Sequence, residues 1–183
     1  MRILGISQMD SGCGFHRVVL PLGFMNDIEG YVTNFPQPEI MEQPWDIMVY
    51  NRFSPFDGHM PEFKERTNTK VIVDLDDDWV LPPSHINYYH YLTYRERLEN
   101  NIRNADLITC TNRLIADKAA KLNPNVEIIP NGIPFGHHQF TQDKEQSDKV
   151  RIFWCGSITH EKDLAILRGP IRRLQSDKDK IEM

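Results

Sequence analysis

The sequence predicts an α/β protein with a doubly wound, parallel sheet of the Rossmann-like kind, and three observations support this. Short apolar segments alternate with helical patterns about six times, which is typical of βαβ units. Two of these segments, WDIMVYNR at 45–52 and VIVDL at 71–75, read as buried strands, and the first is apolar enough to be covered on both faces. The chain also opens with a strand, a glycine-containing loop and a helix, the unit that starts many nucleotide-binding sheets.

The first elements are predicted from hydrophobic spacing. Arg2 to Ser7 alternates apolar residues and predicts a strand, whereas Phe15 to Met25 has apolar residues at helical spacing. Pro21 lies inside that helix, so we expect the helix to kink there or to end just before it. A second strand is predicted at 29–33, followed by a proline-rich surface loop at 34–44.

The remaining elements of the first domain follow from the same periodicities. We predict helices at 60–66, 87–103 and 112–122, and strands at 71–75, 107–110 and 126–129. Thr111 or Asn112 is the expected N-cap of the third of these helices, and Asn123-Pro124 its stop.

The glycine loop after the first strand is a candidate anion site. Gly12 and Gly14 can adopt positive φ and let a ligand approach the backbone, and the amides of the following helix would point at an anion. Arg17 occupies the position of the third glycine of the dinucleotide fingerprint, and together with His16 it would stand beside that anion. The alternative is a tight turn without a ligand, with both side chains on a solvated helix start.

An acidic run lies at the carboxyl end of the strand at 71–75, where ligands bind in open α/β sheets. Its members are Asp74, Asp76, Asp77 and Asp78. The carboxylates could bind acceptor hydroxyls or act as a base, with Asp76 and Asp77 as the candidate catalytic residues. They could instead bind a hard cation, or form a solvated, helix-capping turn. Trp79 could stack on a sugar ring, although an aromatic residue after a buried strand is more often part of the core.

Composition excludes several classes of protein. The chain has 183 residues and a net charge of −5, which disfavours nucleic acid as its main partner. The three cysteines are far apart and odd in number, which argues against a disulfide framework or a zinc site and for a reducing compartment. The sequence shows no signal-peptide pattern and no apolar run long enough for a membrane helix, so we expect a cytoplasmic protein.

A domain boundary is expected near residue 140. The segment 141–149 is wholly polar and predicts a linker between a domain at 1–140 and a new βα unit at 150–183. That unit has a strand over Val150 to Cys155 and a helix that Gly169-Pro170 interrupts. Because this strand has no sheet of its own, we expect it to pair with its own domain or with a second copy of the chain in a homo-oligomer.

Two segments, ADLITCTNRLIADKAAKLNPNVEIIPNGI and VRIFWCGSITHEKDLAIL, resemble the retaining glycosyltransferases of the GT-B fold, the family-four type of bacteria and phages. The resemblance implies an acceptor-side domain followed by the start of a donor-binding domain. It also implies that Gly12, Gly14 and Lys162 contact the donor diphosphate, whereas the family's companion arginine is replaced by Ser157. The family's pair of glutamates would lie beyond Met183, which puts catalysis by this segment alone in doubt.

The sequence therefore supports three hypotheses of function. The first is transfer of a sugar from a nucleotide-sugar donor to an unknown acceptor, with Gly12, Gly14, Arg17 and Lys162 on the diphosphate and no cofactor or metal. The second is a non-catalytic binding or assembly module with the same fold. The third, glucosyl transfer to a nucleic-acid base, is weakened by the acidic charge.

Overall fold

The computed structural model describes residues 1–7, 12–52, 56, 58–141, 146–154, 156, 160–175 and 179–182. The chain divides into two compact units, Met1–Gly132 and Ile133–Met183. The first unit contains a six-stranded sheet in which every pair of neighbouring strands is parallel. The predicted fold class, a Rossmann-like α/β sheet flanked by helices, is confirmed.

The strands of this sheet match the predicted apolar segments, with ends that differ by at most two residues. In chain order they are β1 (Arg2–Ile6), β2 (Glu29–Thr33), β3 (Ile47–Asn51), β4 (Lys70–Leu75), β5 (Leu107–Cys110) and β6 (Val126–Ile128). Their order across the sheet is β2-β1-β3-β4-β5-β6. The chain therefore crosses β1 when it passes from β2 to β3, so the sheet has a topological switch point between β1 and β3.

The helices of the first unit also follow the predicted pattern. They are α1 (Gly12–Gly14, Phe15–Val19 and Leu20–Phe24 in succession), α2 (Pro38–Met41), α3 (Met60–Thr67), α4 (Tyr88–Asn104) and α5 (Arg113–Ala119). Asn112 caps α5, since its side chain accepts a hydrogen bond of 3.1 Å from the Ile115 N–H. The short helix α2 lies within the segment that was predicted to be a loop.

Helix α1 continues through Pro21, and its middle turn, Phe15–Val19, is a π-helix. Proline lacks an N–H and its ring collides with the carbonyl one turn earlier, so a wider preceding turn accommodates it. Gly5 of β1 brings α1 close to the sheet, because a Cβ at this position would lie 2.7 Å from Leu22 Cδ1 and 2.8 Å from Val18 Cγ1. Among the described glycines of the first unit for which the space was measured, Gly5 therefore leaves the least room for a side chain.

Apolar clusters cover both faces of the sheet. The smaller contains Ile3, Val18 and Leu22 under α1, and the larger packs the other face against α3, α4 and α5. Trp79 belongs to the larger cluster with 2% of its surface exposed, so of its two predicted roles the structure favours the core. None of the described helices combines the length and apolar character that a membrane span requires.

The second unit contains a small parallel pair of strands, β7 (Val150–Arg151) and β8 (Ile181–Glu182). Its described helical segments are His138–Phe140, Glu161–Leu164, Ala165–Leu167 and Arg168–Leu174. Of the strand predicted at 150–155, the structure shows Val150–Arg151 as a strand that pairs with Ile181–Glu182, whereas Cys155 lies outside the described residues. The helical break predicted at Gly169-Pro170 falls one turn earlier, at Ala165–Leu167, because proline disturbs the turn that precedes it.

Candidate functional site

The carboxyl edge of the sheet carries a cluster of polar side chains next to the switch point. Helix α1 follows β1, Asn51 ends β3 with Arg52 directly after it, and β4 contributes Asp74 and the residues that follow it. In open parallel sheets the ligand-binding crevice forms at this place, outside the carboxyl ends of the strands. We call this cluster the carboxyl-edge site.

Asp74 is the buried anchor of the carboxyl-edge site. Arg17 pairs with it, the two atoms Nη2 and Oδ1 lying 2.7 Å apart, and the side chains are only 5% and 2% exposed. Thr109 Oγ1 donates a hydrogen bond of 2.6 Å to Oδ1, and Asn51 Nδ2 donates one of 3.0 Å to Oδ2. Both carboxylate oxygens are therefore engaged within the protein, so Asp74 acts as a structural residue.

Arg17 was predicted to stand beside a bound anion, and the structure places its guanidinium in the interior. Besides the pair with Asp74, Nη1 donates to the Ile129 carbonyl at 2.7 Å and to Asn131 Oδ1 at 3.0 Å. These contacts tie α1 and β4 to the chain that follows β6. A role of Arg17 towards a phosphate stays a prediction.

Arg52 is the central cation of the more exposed half of the site, and it is not among the site residues predicted from the sequence. Its Nε lies 3.1 Å from Asp76 Oδ1, its Nη1 lies 2.6 Å from Asp77 Oδ2, and Nη1 also donates to the Tyr91 hydroxyl at 3.0 Å. The backbone of Arg52 has φ 56°, in the left-handed region that disfavours residues with a Cβ. Such strain clusters at functional sites. A cation directly after a strand at the ligand edge was the signal available in the sequence.

The two predicted catalytic carboxylates differ in exposure. The Asp76 side chain is 9% exposed and accepts hydrogen bonds from Asn51 Nδ2 at 3.0 Å as well as pairing with Arg52. The Asp77 side chain is 60% exposed and pairs with Arg52. Asp77 is therefore the carboxylate that can meet a ligand, and Asp76 helps to orient Arg52.

Asp78 closes a local turn after β4 and caps no described helix, since the next helix begins at Tyr88. Its Oδ1 accepts a hydrogen bond of 2.8 Å from the Val80 N–H and pairs with Lys118. The Lys118 ammonium also lies 5.0 Å from the centre of the Trp79 ring. This part of the run fixes the turn after β4 onto α5.

Cys13 lies beside the two carboxylates, and its Sγ and one oxygen each of Asp76 and Asp77 lie within 4.8 Å of one another. Burial, together with a hydrogen bond to Asp76 and the charge of that carboxylate, raises the pKa of the Cys13 thiol to about 11. The thiol is therefore protonated at neutral pH, and a protonated thiol is a poor metal ligand. The negative charges of Asp76 and Asp77 are balanced by the guanidinium of Arg52. We assign no metal to this group.

The remaining predicted site residues lie in helical backbone. Gly12 and Gly14 form the first turn of α1, where Gly14 has φ −60°, and neither is among the described residues with positive φ. A Cβ on Gly12 would meet nothing within 4 Å. Lys162 lies in the helix Glu161–Leu164 of the second unit, and its side chain and Ser157 lie outside the described part of the chain. Their contacts with a diphosphate stay predictions.

A cavity of about 180 Å³ lies next to the carboxyl-edge site and shares Tyr91 with it. Its walls come from the turn after β4 and the first turns of α4. They are formed by Trp79, Val80, Leu81, Pro83, Tyr88, Tyr91, Leu92 and Arg95. The cavity is thus mainly apolar, with polar groups at Tyr88, Tyr91 and Arg95.

The fold and the site define a Rossmann-like α/β domain. At its switch point the carboxyl edge of the sheet carries carboxylates whose charge is partly balanced by Arg17 and Arg52. No protein-family model matches the chain, and no curated protein matches it either. The resemblance to GT-B glycosyltransferases therefore depends on the two sequence segments 105–133 and 150–167 alone.

Proposed function

We propose that this chain contains the acceptor-side domain of a GT-B type glycosyltransferase, which transfers a sugar from a nucleotide-sugar donor to a hydroxyl of an acceptor. The observation that carries the proposal is the exposed Asp77 carboxylate, which Arg52 holds at 2.6 Å beside the switch point. The parallel sheet and the two family-like segments are consistent with it.

Asp77 has the chemistry that an acceptor hydroxyl needs. Its second oxygen accepts a hydrogen bond from the hydroxyl and orients it for attack on the donor sugar, which is an effect of positioning. Arg52 keeps the carboxylate in place, and Asp76 and Tyr91 in turn fix the guanidinium of Arg52. The site therefore has one group that touches the acceptor and three that position it.

The donor diphosphate would lie at the start of α1. Backbone amides there can face phosphate oxygens, and the resemblance assigns Lys162 to the same group. A departing diphosphate requires such donors, because the negative charge on it increases in the transition state.

One observation favours the second candidate, a non-catalytic binding or assembly module. The guanidinium of Arg17, one of the cations predicted for the diphosphate, is engaged by Asp74, the Ile129 carbonyl and Asn131. A domain that keeps the acceptor contacts with fewer cations for the donor would bind a hydroxylated ligand without turnover.

Calorimetry and a turnover assay on the whole chain separate the two candidates. For the enzyme we expect UDP or GDP to bind at millimolar concentration or below, and a nucleotide sugar to be hydrolysed slowly. Asp77→Asn should lower that hydrolysis at least tenfold. Asp117→Asn, which changes an exposed carboxylate on α5, should leave it unchanged.

Absence of any binding at millimolar nucleoside diphosphate would overturn the enzyme proposal for this chain. Binding of a sugar that Asp77→Asn abolishes, without hydrolysis of any donor, would establish the binding module instead.

A further inference from the structure

We propose that the cavity beside the carboxyl-edge site binds one small apolar ring, so that the acceptor is a ring-bearing alcohol such as a benzyl-type alcohol. The assignment of this ring to an acceptor rests on the proposed function, whereas the ring site itself rests on the cavity. Four features of the cavity support the inference: its size, its walls, its rigidity and its connection to Asp77.

The size of the cavity selects a single ring. Pockets for drug-sized ligands and cofactors have volumes of roughly 300–1,000 Å³. The volume here is about 180 Å³, which is too small for a nucleotide and suits one six-membered ring with a short substituent.

The walls of the cavity select an apolar ring rather than a sugar. Val80, Leu81, Pro83 and Leu92 offer no side-chain hydrogen-bonding group to a ligand. A sugar in this space would find hydrogen-bonding side chains mainly at Tyr88, Tyr91 and Arg95, which are too few for all of its hydroxyl groups, so the remaining hydroxyls would lose water without gaining partners. An aromatic ring loses no such hydrogen bonds and gains edge or offset contacts with the tyrosine rings.

The inner wall of the cavity is held in place before any ligand arrives. Trp79 is 2% exposed, its Nε1–H points to Glu99 Oε1 at 3.4 Å, and Lys118 lies over its ring. Arg95 Nε donates to the same Glu99 oxygen at 2.8 Å. A wall fixed in this way lowers the cost of binding, since fewer side chains must be ordered.

Tyr91 connects the cavity to the proposed reaction site. Its ring lines the cavity, and its hydroxyl accepts a hydrogen bond of 3.0 Å from Arg52 Nη1, the atom that also binds Asp77. A hydroxymethyl substituent that leaves the cavity past Tyr91 therefore reaches the Arg52–Asp77 pair. This connection defines the acceptor as a ring with an alcohol on a short arm.

The test uses the whole chain, benzyl alcohol as the probe and methyl glucoside as the polar comparison. Two variants are matched: Leu92→Trp fills the cavity, and Leu114→Trp adds the same bulk to an exposed leucine on α5. Binding is measured by titration of amide NMR resonances. Leu92 is 53% exposed and Leu114 is 84% exposed, so both variants are expected to fold, which circular dichroism checks.

We expect benzyl alcohol to shift the resonances of residues 79–95, with its dissociation constant raised at least tenfold by Leu92→Trp and less than twofold by Leu114→Trp. Methyl glucoside should leave these resonances in place. Equal affinity in the two variants, or shifts caused by methyl glucoside and not by benzyl alcohol, would overturn the inference.

The failure of this inference is distinguishable from failure of the proposed function. If nucleoside diphosphates bind and benzyl alcohol does not, the ring site is wrong and the proposed function is retained. If benzyl alcohol binds at residues 79–95 and no nucleoside diphosphate binds, the ring site stands and its ligand is not an acceptor for sugar transfer by this chain.

Discussion

Arg17 and Asp74 form a buried ion pair that joins helix α1 to strand β4 across 57 positions of sequence. Arg17 Nε lies 3.0 Å from Asp74 Oδ2 and Nη2 lies 2.7 Å from Oδ1, so the guanidinium donates hydrogen bonds to both carboxylate oxygens. The same guanidinium donates to the carbonyl of Ile129 after β6. The pair therefore connects three parts of the carboxyl edge, and the exposed half of the site is built on it.

Arg17→Met should destabilise the first unit strongly. Removal of one partner leaves the Asp74 charge buried and uncompensated, which typically costs about 3–5 kcal/mol. Urea unfolding followed by circular dichroism measures the free energy. The control Arg113→Met removes an arginine that is 79% exposed and paired on the helix surface, and should cost less than about 0.5 kcal/mol.

The double variant Arg17→Met/Asp74→Leu tests the electrostatic reason. Since both charges are gone, it should be more stable than Arg17→Met alone. A double variant that is less stable than the single one would show that packing, and not the unpaired charge, accounts for the loss.

The backbone at Arg52 gives a second prediction, which separates strain from side-chain chemistry. Because φ is 56° there, Arg52→Gly should be more stable than Arg52→Ala by about 1 kcal/mol. Both changes remove the guanidinium, so their difference isolates the backbone. The comparison is made by urea unfolding.

Two further glycine–alanine comparisons control this experiment. Asn68 also has φ 56°, so Asn68→Gly should again exceed Asn68→Ala in stability. Arg97 lies inside helix α4, where alanine is favoured over glycine, so Arg97→Ala should be more stable than Arg97→Gly by about 1 kcal/mol. The same order at all three positions would contradict the assignment of strain to Arg52.

The reactivity of Cys13 provides a third prediction. A thiol with a pKa of about 11 is almost entirely protonated at pH 8, so iodoacetamide should modify Cys13 roughly 100-fold more slowly than an unperturbed cysteine. Asp76→Asn removes the negative charge and one of the two oxygens that can accept the thiol's hydrogen bond, which should lower the pKa of the thiol and accelerate the reaction. Peptide mass spectrometry follows Cys13 separately from the other cysteines.

Asp117→Asn serves as the control, since this carboxylate lies on the surface of α5, and the rate at Cys13 should stay the same. An unchanged rate in Asp76→Asn would mean that burial alone, and not the neighbouring carboxylate, slows the thiol.

The fold was largely predictable because its elements have clear periods in sequence. Strand β5 was predicted at its observed ends, and the Asn112 cap was one of two residues proposed for α5. Pro21 was a correct signal of a helix irregularity, but the outcome, a π turn that lets the helix continue, depends on packing against Gly5 and β1.

The site was predictable in position and less so in composition. The acidic run after β4 indicated the correct edge of the sheet, because strand ends can be read from sequence. The residues that pair with these carboxylates could not be predicted from the sequence, since Arg52 lies 25 positions from Asp77 and 39 positions from Tyr91. The sheet order alone brings the ends of β3 and β4 together. The same reason explains why Arg17 was expected at a ligand and is found paired with Asp74.

Asp106 provides the last prediction, a dependence of stability on pH. Burial raises the pKa of this carboxyl, but hydrogen bonds from Lys64, the Val71 N–H and Lys70 outweigh burial and hold the pKa below its usual range. A carboxyl whose folded pKa is lowered contributes stability above its unfolded pKa of about 4 and loses it as the pH falls through the folded value. The difference in unfolding free energy between the natural chain and Asp106→Asn should therefore be about 1 kcal/mol at pH 7, after allowance for partial exposure, and should shrink below about pH 4. Urea midpoints between pH 3 and 7 measure it, with Asp27→Asn as the control at an exposed carboxylate. A difference that stays constant over this range would show that the ionised form of Asp106 is not what stabilises the junction of α3, β4 and β5.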